Sequence, residues 1–337
     1  MNRILLSHHS IYLWFLSISF VSLLVMAPTV QAQLCFNGPD LDAATRNAIE
    51  SAAGKYLDMS VHGDVAGLKA NAIPAIAADF SSIERAVVTN KEFLAGGQPT
   101  ITGTYLLDAS QAKAVLPRAD FYCGIYNSPN RIGFFIPNLP PGRYAIVLQK
   151  ISGKDPITLT LILQEMVGVW KLAGYYPRLN LVAGEDGQWY LTKAREFKVK
   201  GQSHNAWFYY LTAWDLMALV NFMSTPQLDK IADEMQLSRP NDLPSTGAPM
   251  NLPANGRVFK VTEITPVPVD NNLDLRVLYV TPDAANSPLA FQDNLAVIKA
   301  LVAKYPELRE AFYAVVARAV DENGHDYGSL VPMKDIK

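Results

Sequence analysis

Cysteine is scarce in this chain: Cys35 and Cys123 are the only two in 337 residues. Two thiols permit one intramolecular bridge and rule out a disulfide framework. Charge is scarce too, at 18% of residues, with no run of lysine or arginine. A chain without a basic stripe has no electrostatic reason to bind nucleic acid or anionic lipid. Histidine is nearly as rare, with five in all. Also missing are the Gly-x-Ser-x-Gly elbow, the His-Glu-x-x-His zinc motif, a phosphate loop ending in Lys-Ser/Thr and the dinucleotide fingerprint. Their absence argues against the commonest hydrolase, zinc-protease and nucleotide-binding plans. No cofactor and no metal site is expected.

The long hydrophobic run is at the start. Arg3 precedes an almost wholly apolar stretch, Ile11 to Met26, and Ala27–Ala32 ends in small residues. This pattern predicts an export signal over 1–32, with a mature chain from Gln33 that is periplasmic or secreted. The run falls short of the roughly 20 residues that span a bilayer. An uncleaved leader tethering a membrane assembly factor is the alternative. No later segment reads as a span. With Arg3 removed, 28 basic residues face 31 acidic ones, a net of −3. In an oxidising compartment Cys35 would bridge Cys123; two buried free thiols are the other reading.

The remaining chain predicts an α+β fold. Leu41, Ala44, Ala48, Ala52, Tyr56 and Met59 form a helical stripe within 39–59, with Arg46 and Glu50 off that face. Asp64 suits a short helix cap and Pro74 a first helical turn. Ile76, Phe80, Ile83 and Val87 form a second stripe, ending near Gly96-Gly97. Strands are expected over 100–108, 120–126, 131–136, 143–151, 157–165 and 168–176. Helices are expected over 189–200 and 204–219, with a shorter one from Pro226. Four prolines and two glycines in 240–256 mark a linker. Two strands (257–265, 273–281), a helix (288–305) and a third strand (312–322) close the chain. The expected divisions are 33–180, 185–236, the Pro-rich linker 237–256 and a small β-β-α-β unit over 257–337.

Tyr56-Leu57-Asp58, the His62-Gly63-Asp64 break and the ending Glu165-Met166-Val167-Gly168-Val169-Trp170-Lys171-Leu172-Ala173-Gly174-Tyr175 follow one another in a familiar order. In that order residues 40–177 resemble the nuclear transport factor 2-like (cystatin-like) superfamily. The resemblance implies a curved antiparallel sheet around the first helix, making an open cone, and leaves function open. Ala194, Phe197, Gly201, Ala206, Tyr210 and Ala213 resemble a single tetratricopeptide repeat, a helical hairpin packed on the cone.

Function then divides three ways. The favoured reading is a non-catalytic, exported binding protein, holding an apolar small molecule in the cone or a protein partner on the hairpin. Tyr122, Tyr126, Phe134, Tyr144 and Trp170 would line the pocket. Trp207, Phe208, Tyr209 and Trp214 exceed the needs of the hairpin crevice, so they either dock it or face a partner. The second reading is an enzyme in the cone, where a tyrosine and a carboxylate meet in an apolar pocket. Tyr56, Asp108 and Asp120 are the residues available for it. The third is the tethered assembly factor. Of the histidines past the leader, His62 sits beside a capping Asp64, His204 is expected in solvent, and His325 lies in a turn.

Overall fold

A computed structural model describes residues 33–125 and 128–337. The expected export signal lies outside the described residues.

Strand β1 (Leu34–Asn37) leads through a 3-10 turn (Gly38–Asp40) into helix α1 (Ala43–His62). The Asp42 carboxylate accepts from the Thr45 N–H and caps α1, so the helix starts later than the apolar stripe suggests. It runs on to Gly63, whose φ of +70° closes the last turn. Asp64 caps α2 (Val65–Ala70) as expected, accepting from the Gly67 N–H at 2.8 Å. The second stripe is two helices, α3 (Pro74–Ala78) and α4 (Ser81–Ala95), broken at Asp79 and Phe80.

Six strands follow: β2 (Gln98–Asp108), β3 (Leu116–Cys123), β4 (Ile132–Leu139), β5 (Arg143–Ser152), β6 (Ile157–Met166) and β7 (Val169–Leu179). One antiparallel sheet has the order β1-β2-β5-β6-β7. The other pairs β3 with β4 and gains β8 (Met223–Ser224) from further along the chain. Helices α1 and α4 cover one face of the larger sheet. There Ile49, Ala53, Leu57 and Val87 pack on Val147, Leu159, Leu161 and Leu172. The smaller sheet covers the opposite face, bringing Phe121 and Phe134 onto Leu107, Ile146 and Leu148. This double coverage explains an anomaly in the pattern. Thr158 and Thr160 alternate with leucines in β6, as in a strand wetted on one side, yet both are buried.

The helical hairpin is α5 (Gly187–Val199) and α6 (Ser203–Met217), turned by Gly201 at φ +76°. Helix α7 (Pro226–Gln236) follows, capped by Thr225. The hairpin does not pack primarily on the first sheet. Tyr190, Phe197, Phe208, Tyr209 and Ala213 share one core with the C-terminal unit, joining Phe259, Tyr279, Val297, Leu301 and Phe312.

That unit is larger than a β-β-α-β motif. It comprises β9 (Met250–Ala254), β10 (Arg257–Val269), β11 (Asn272–Val280), α8 (Ser287–Lys304), α9 (Leu308–Ala311), β12 (Ala314–Val320) and β13 (Asp326–Pro332). The sheet order is β13-β12-β11-β10-β9, parallel only between β11 and β12. The expected linker therefore ends early. Residues 250–254 pair with β10 as an edge strand, where Pro253 is tolerated because an edge leaves one row of ladder positions unpaired. Among the described residues no helix is long and apolar enough to cross a membrane.

Candidate functional site

Seven of the eight residues nominated for a cone pocket are described, and they do not converge. Tyr56 and Trp170 lie on the helix-covered side of the large sheet, whereas Phe134 and Tyr144 lie on the other. The Tyr56 hydroxyl is spent, donating toward the carbonyls of Trp170 (3.0 Å) and Asn71 (3.1 Å). Burial pushes its pKa up. Tyr144 donates to the Pro140 carbonyl at 2.9 Å. Asp108 accepts from the Ser110 N–H in a turn, and Asp120 pairs with Arg118 at 2.6 Å. Tyr122 is 60% exposed. Tyr126 lies outside the described residues. Side chains fill both faces of the sheet, so the seven described residues serve as core, turn or surface.

The hairpin aromatics dock it. Phe208 and Tyr209 are buried with ring centroids 5.9 and 6.1 Å from Phe312, and the Tyr209 hydroxyl donates to the Ala311 carbonyl. Trp214 is half-buried and packs against both neighbouring cores. Trp207 is half-buried, with the Arg239 guanidinium 5.4 Å from its ring centroid. A partner-facing role for Phe208 and Tyr209 is thus excluded by burial.

One of the three histidines departs from expectation. His62 stays exposed and meets Asp58, not Asp64. His325 pairs with Asp321 at 2.8 Å on the surface. His204, expected in solvent, is the buried one: its side chain is 12% exposed. Its Nε2 lies 2.8 Å from Asp242 Oδ1, its Nδ1 2.9 Å from Glu307 Oε1, and its ring is 4.1 Å from that of Tyr305. The Tyr305 hydroxyl donates to the other Asp242 oxygen at 2.7 Å. Burial and this carboxylate push the Tyr305 pKa up. Burial opposes ionisation of Asp242, but the Tyr305 hydroxyl and His204 together hold its carboxyl below the usual range. Carboxylates only accept, so both contacts are hydrogen bonds when both ring nitrogens carry protons. The cluster ties the start of α6 to the 237–249 segment and to the α8–α9 turn.

An open groove of about 410 Å³ lies where the two N-terminal sheets meet. Its walls are the turn Asn37–Pro39, the first half of α1, the β2 segment 101–105 and the ends of β3 and β4. Cys123, bonded to Cys35, forms part of it. Arg46 and Glu50 stand one helical turn apart on α1 and so reach the groove together. Neither makes an ion pair among the described residues. Arg46 Nη1 donates to the Gly38 carbonyl at 3.3 Å, and Glu50 Oε1 accepts from Thr104 at 2.9 Å. Asn37 Oδ1 is buried with no hydrogen-bond partner. A bulge between Ile101 and Gly103 turns this part of β2, and Tyr105 lies across it. A Cβ on Gly103 would sit 2.8 Å from the Tyr105 ring, so glycine is what lets the ring lie there. Sequence periodicity assigns Arg46 and Glu50 only to the polar side of α1. The Arg-x-x-x-Glu spacing and the cysteine pair were the signals for this site.

Comparison with known proteins finds no likeness: no family model matches the chain, and no curated protein and no solved structure is similar to it.

Proposed function

We propose that this is an exported, non-catalytic binding protein whose groove beside the Cys35–Cys123 bridge takes a small zwitterionic molecule. The observation that carries the reading is a pair of oppositely charged side chains, Arg46 and Glu50, that line one groove without an ion-pair partner among the described residues. Arg46 is a cation without a carboxylate, and Glu50 is a carboxylate without a cation, held only by the Thr104 hydroxyl. An anionic group suits Arg46, and an ammonium group suits Glu50. This lining favours a polar ligand over the apolar one expected from the sequence. The disulfide and the oxidising compartment it requires support export to the periplasm or beyond. The helix-covered antiparallel sheet supports the likeness of residues 40–177 to the nuclear transport factor 2-like superfamily.

Thermal unfolding in the presence of free amino acids tests the reading. At least one should raise Tm, and Arg46→Ala should remove the rise. Its trimethylated betaine, which has no N–H to give, should have no effect. Stabilisation by apolar compounds alone, or chemical conversion of the bound molecule, would contradict it.

A further inference from the structure

We infer that a second groove, formed where α5, α6 and the segment after α7 meet, binds a phosphate group. It has a volume of about 450 Å³ and is lined by Lys198, Ser203, His204, Arg239 and Asp242 among others. The charges on its walls do not balance. Lys198 and Arg239 form no ion pair among the described residues. Asp242, the one carboxylate on the wall, is already engaged by His204 at 2.8 Å, Tyr305 at 2.7 Å and Lys304 at 3.9 Å. Two cations therefore face the groove with no anion left to answer them.

Their chemistry is specific. The Arg239 guanidinium is held against the Trp207 ring at 5.4 Å, which limits its rotation and leaves its N–H fork without an acceptor. A planar fork matches two oxygens of a tetrahedral oxyanion, and the Lys198 ammonium adds a point charge. The Ser203 hydroxyl has no partner among the described residues. Gln202, at the start of α6, makes no cap: its Oε1 accepts from the Asn205 side chain at 3.0 Å, and its amide nitrogen donates to Glu310 at 2.7 Å. The two cations carry the inference, and Ser203 with the uncapped turn adds donors to them. Two positive groups and neutral donors suit a dianion, hence phosphate, either free or as a monoester on a larger molecule. This groove is separate from the one beside the disulfide and does not depend on that reading.

Calorimetric titration of the full chain with inorganic phosphate at constant ionic strength, followed by glycerol phosphate, tests it. The expected result is saturable binding, at least tenfold weaker in both Arg239→Gln and Lys198→Gln. Both residues are exposed, so folding should be preserved, and an unchanged Tm verifies this. Tighter binding of glycerol phosphate would identify the monoester, and equal binding the free ion. Heats that do not saturate, that sodium chloride reproduces, or that both variants retain in full would overturn the proposal.

Discussion

Cys35 and Cys123 are bonded across 88 residues, with Cα atoms 5.1 Å apart, and they join the edge strand of the large sheet to the first strand of the small one. Strand β1 is only four residues long and pairs with β2 alone within its sheet. The bridge is its covalent tie to β3. The Gln33 side chain, which accepts from the Asp120 N–H, adds a polar one.

Closing so long a loop stabilises by about 4 kcal/mol, largely through the unfolded chain. Cys35→Ser with Cys123→Ser should lower the free energy of urea unfolding by about 2–5 kcal/mol. A thiol assay on denatured, unreduced protein should find no free sulfhydryl. Two would mean the bridge does not form in the native compartment.

His204 fastens three segments by hydrogen bonds to carboxylates. Truncation to alanine should destabilise by about 1–2 kcal/mol, since it removes the ring packed on Tyr305 and leaves the partly buried Glu307 carboxylate without its His204 contact. His204→Gln can still donate to a carboxylate and should recover part of the loss. Urea midpoints for the three proteins check this, and equal stabilities would mean the cluster is ornamental.

Asp274 on β11 is 1% exposed, and its Oδ1 has no partner. Burial pushes its carboxyl pKa up. An acid with a raised folded pKa is no burden while protonated, below the unfolded value near 3.9, and becomes a penalty as pH rises through the folded value. Asp274→Asn should therefore stabilise the protein at pH 7, by about 1–2 kcal/mol. The gain should shrink as the pH is lowered toward 4. Stability curves against pH for both proteins provide the check.

Gly103 shapes the groove without touching a ligand. Gly103→Ala should push the Tyr105 ring aside and weaken amino-acid binding several-fold, while costing little stability because the obstructing atoms belong to the far end of a side chain. Gly187→Ala is the contrasting case. Its Cβ would meet Met217 at 2.5 Å and the Ala213 carbonyl at 3.2 Å where α5 crosses α6, so it should lower Tm and leave binding unchanged.

Much of the architecture was legible in the sequence, because local rules decide it. Alternation located β5 and β6, Asp64 announced its own cap, and Pro226 began a helix as its fixed φ predicts. What escaped was set by distant partners. Strands β1 and β8 are too short for a periodic signal and exist because β2 and β4 offer them edges. Pro253 hid β9, since the pattern does not reveal which strand will lie at an edge. His204 looked solvent-bound because Asp242 and Glu307 lie 38 and 103 residues away. The site was the least legible part. Tyr56 and Tyr144 read equally well as pocket or core, and only the second sheet covering the first separates the two.

The most direct test of the central claim is the native mass of the intact protein purified from its own compartment without reduction. The account predicts a chain with one disulfide and a bound small polar molecule, absent when Arg46 is replaced by alanine. A chain that carries no ligand under any gentle condition, or one whose ligand survives both Arg46→Ala and Glu50→Ala undiminished, would contradict it.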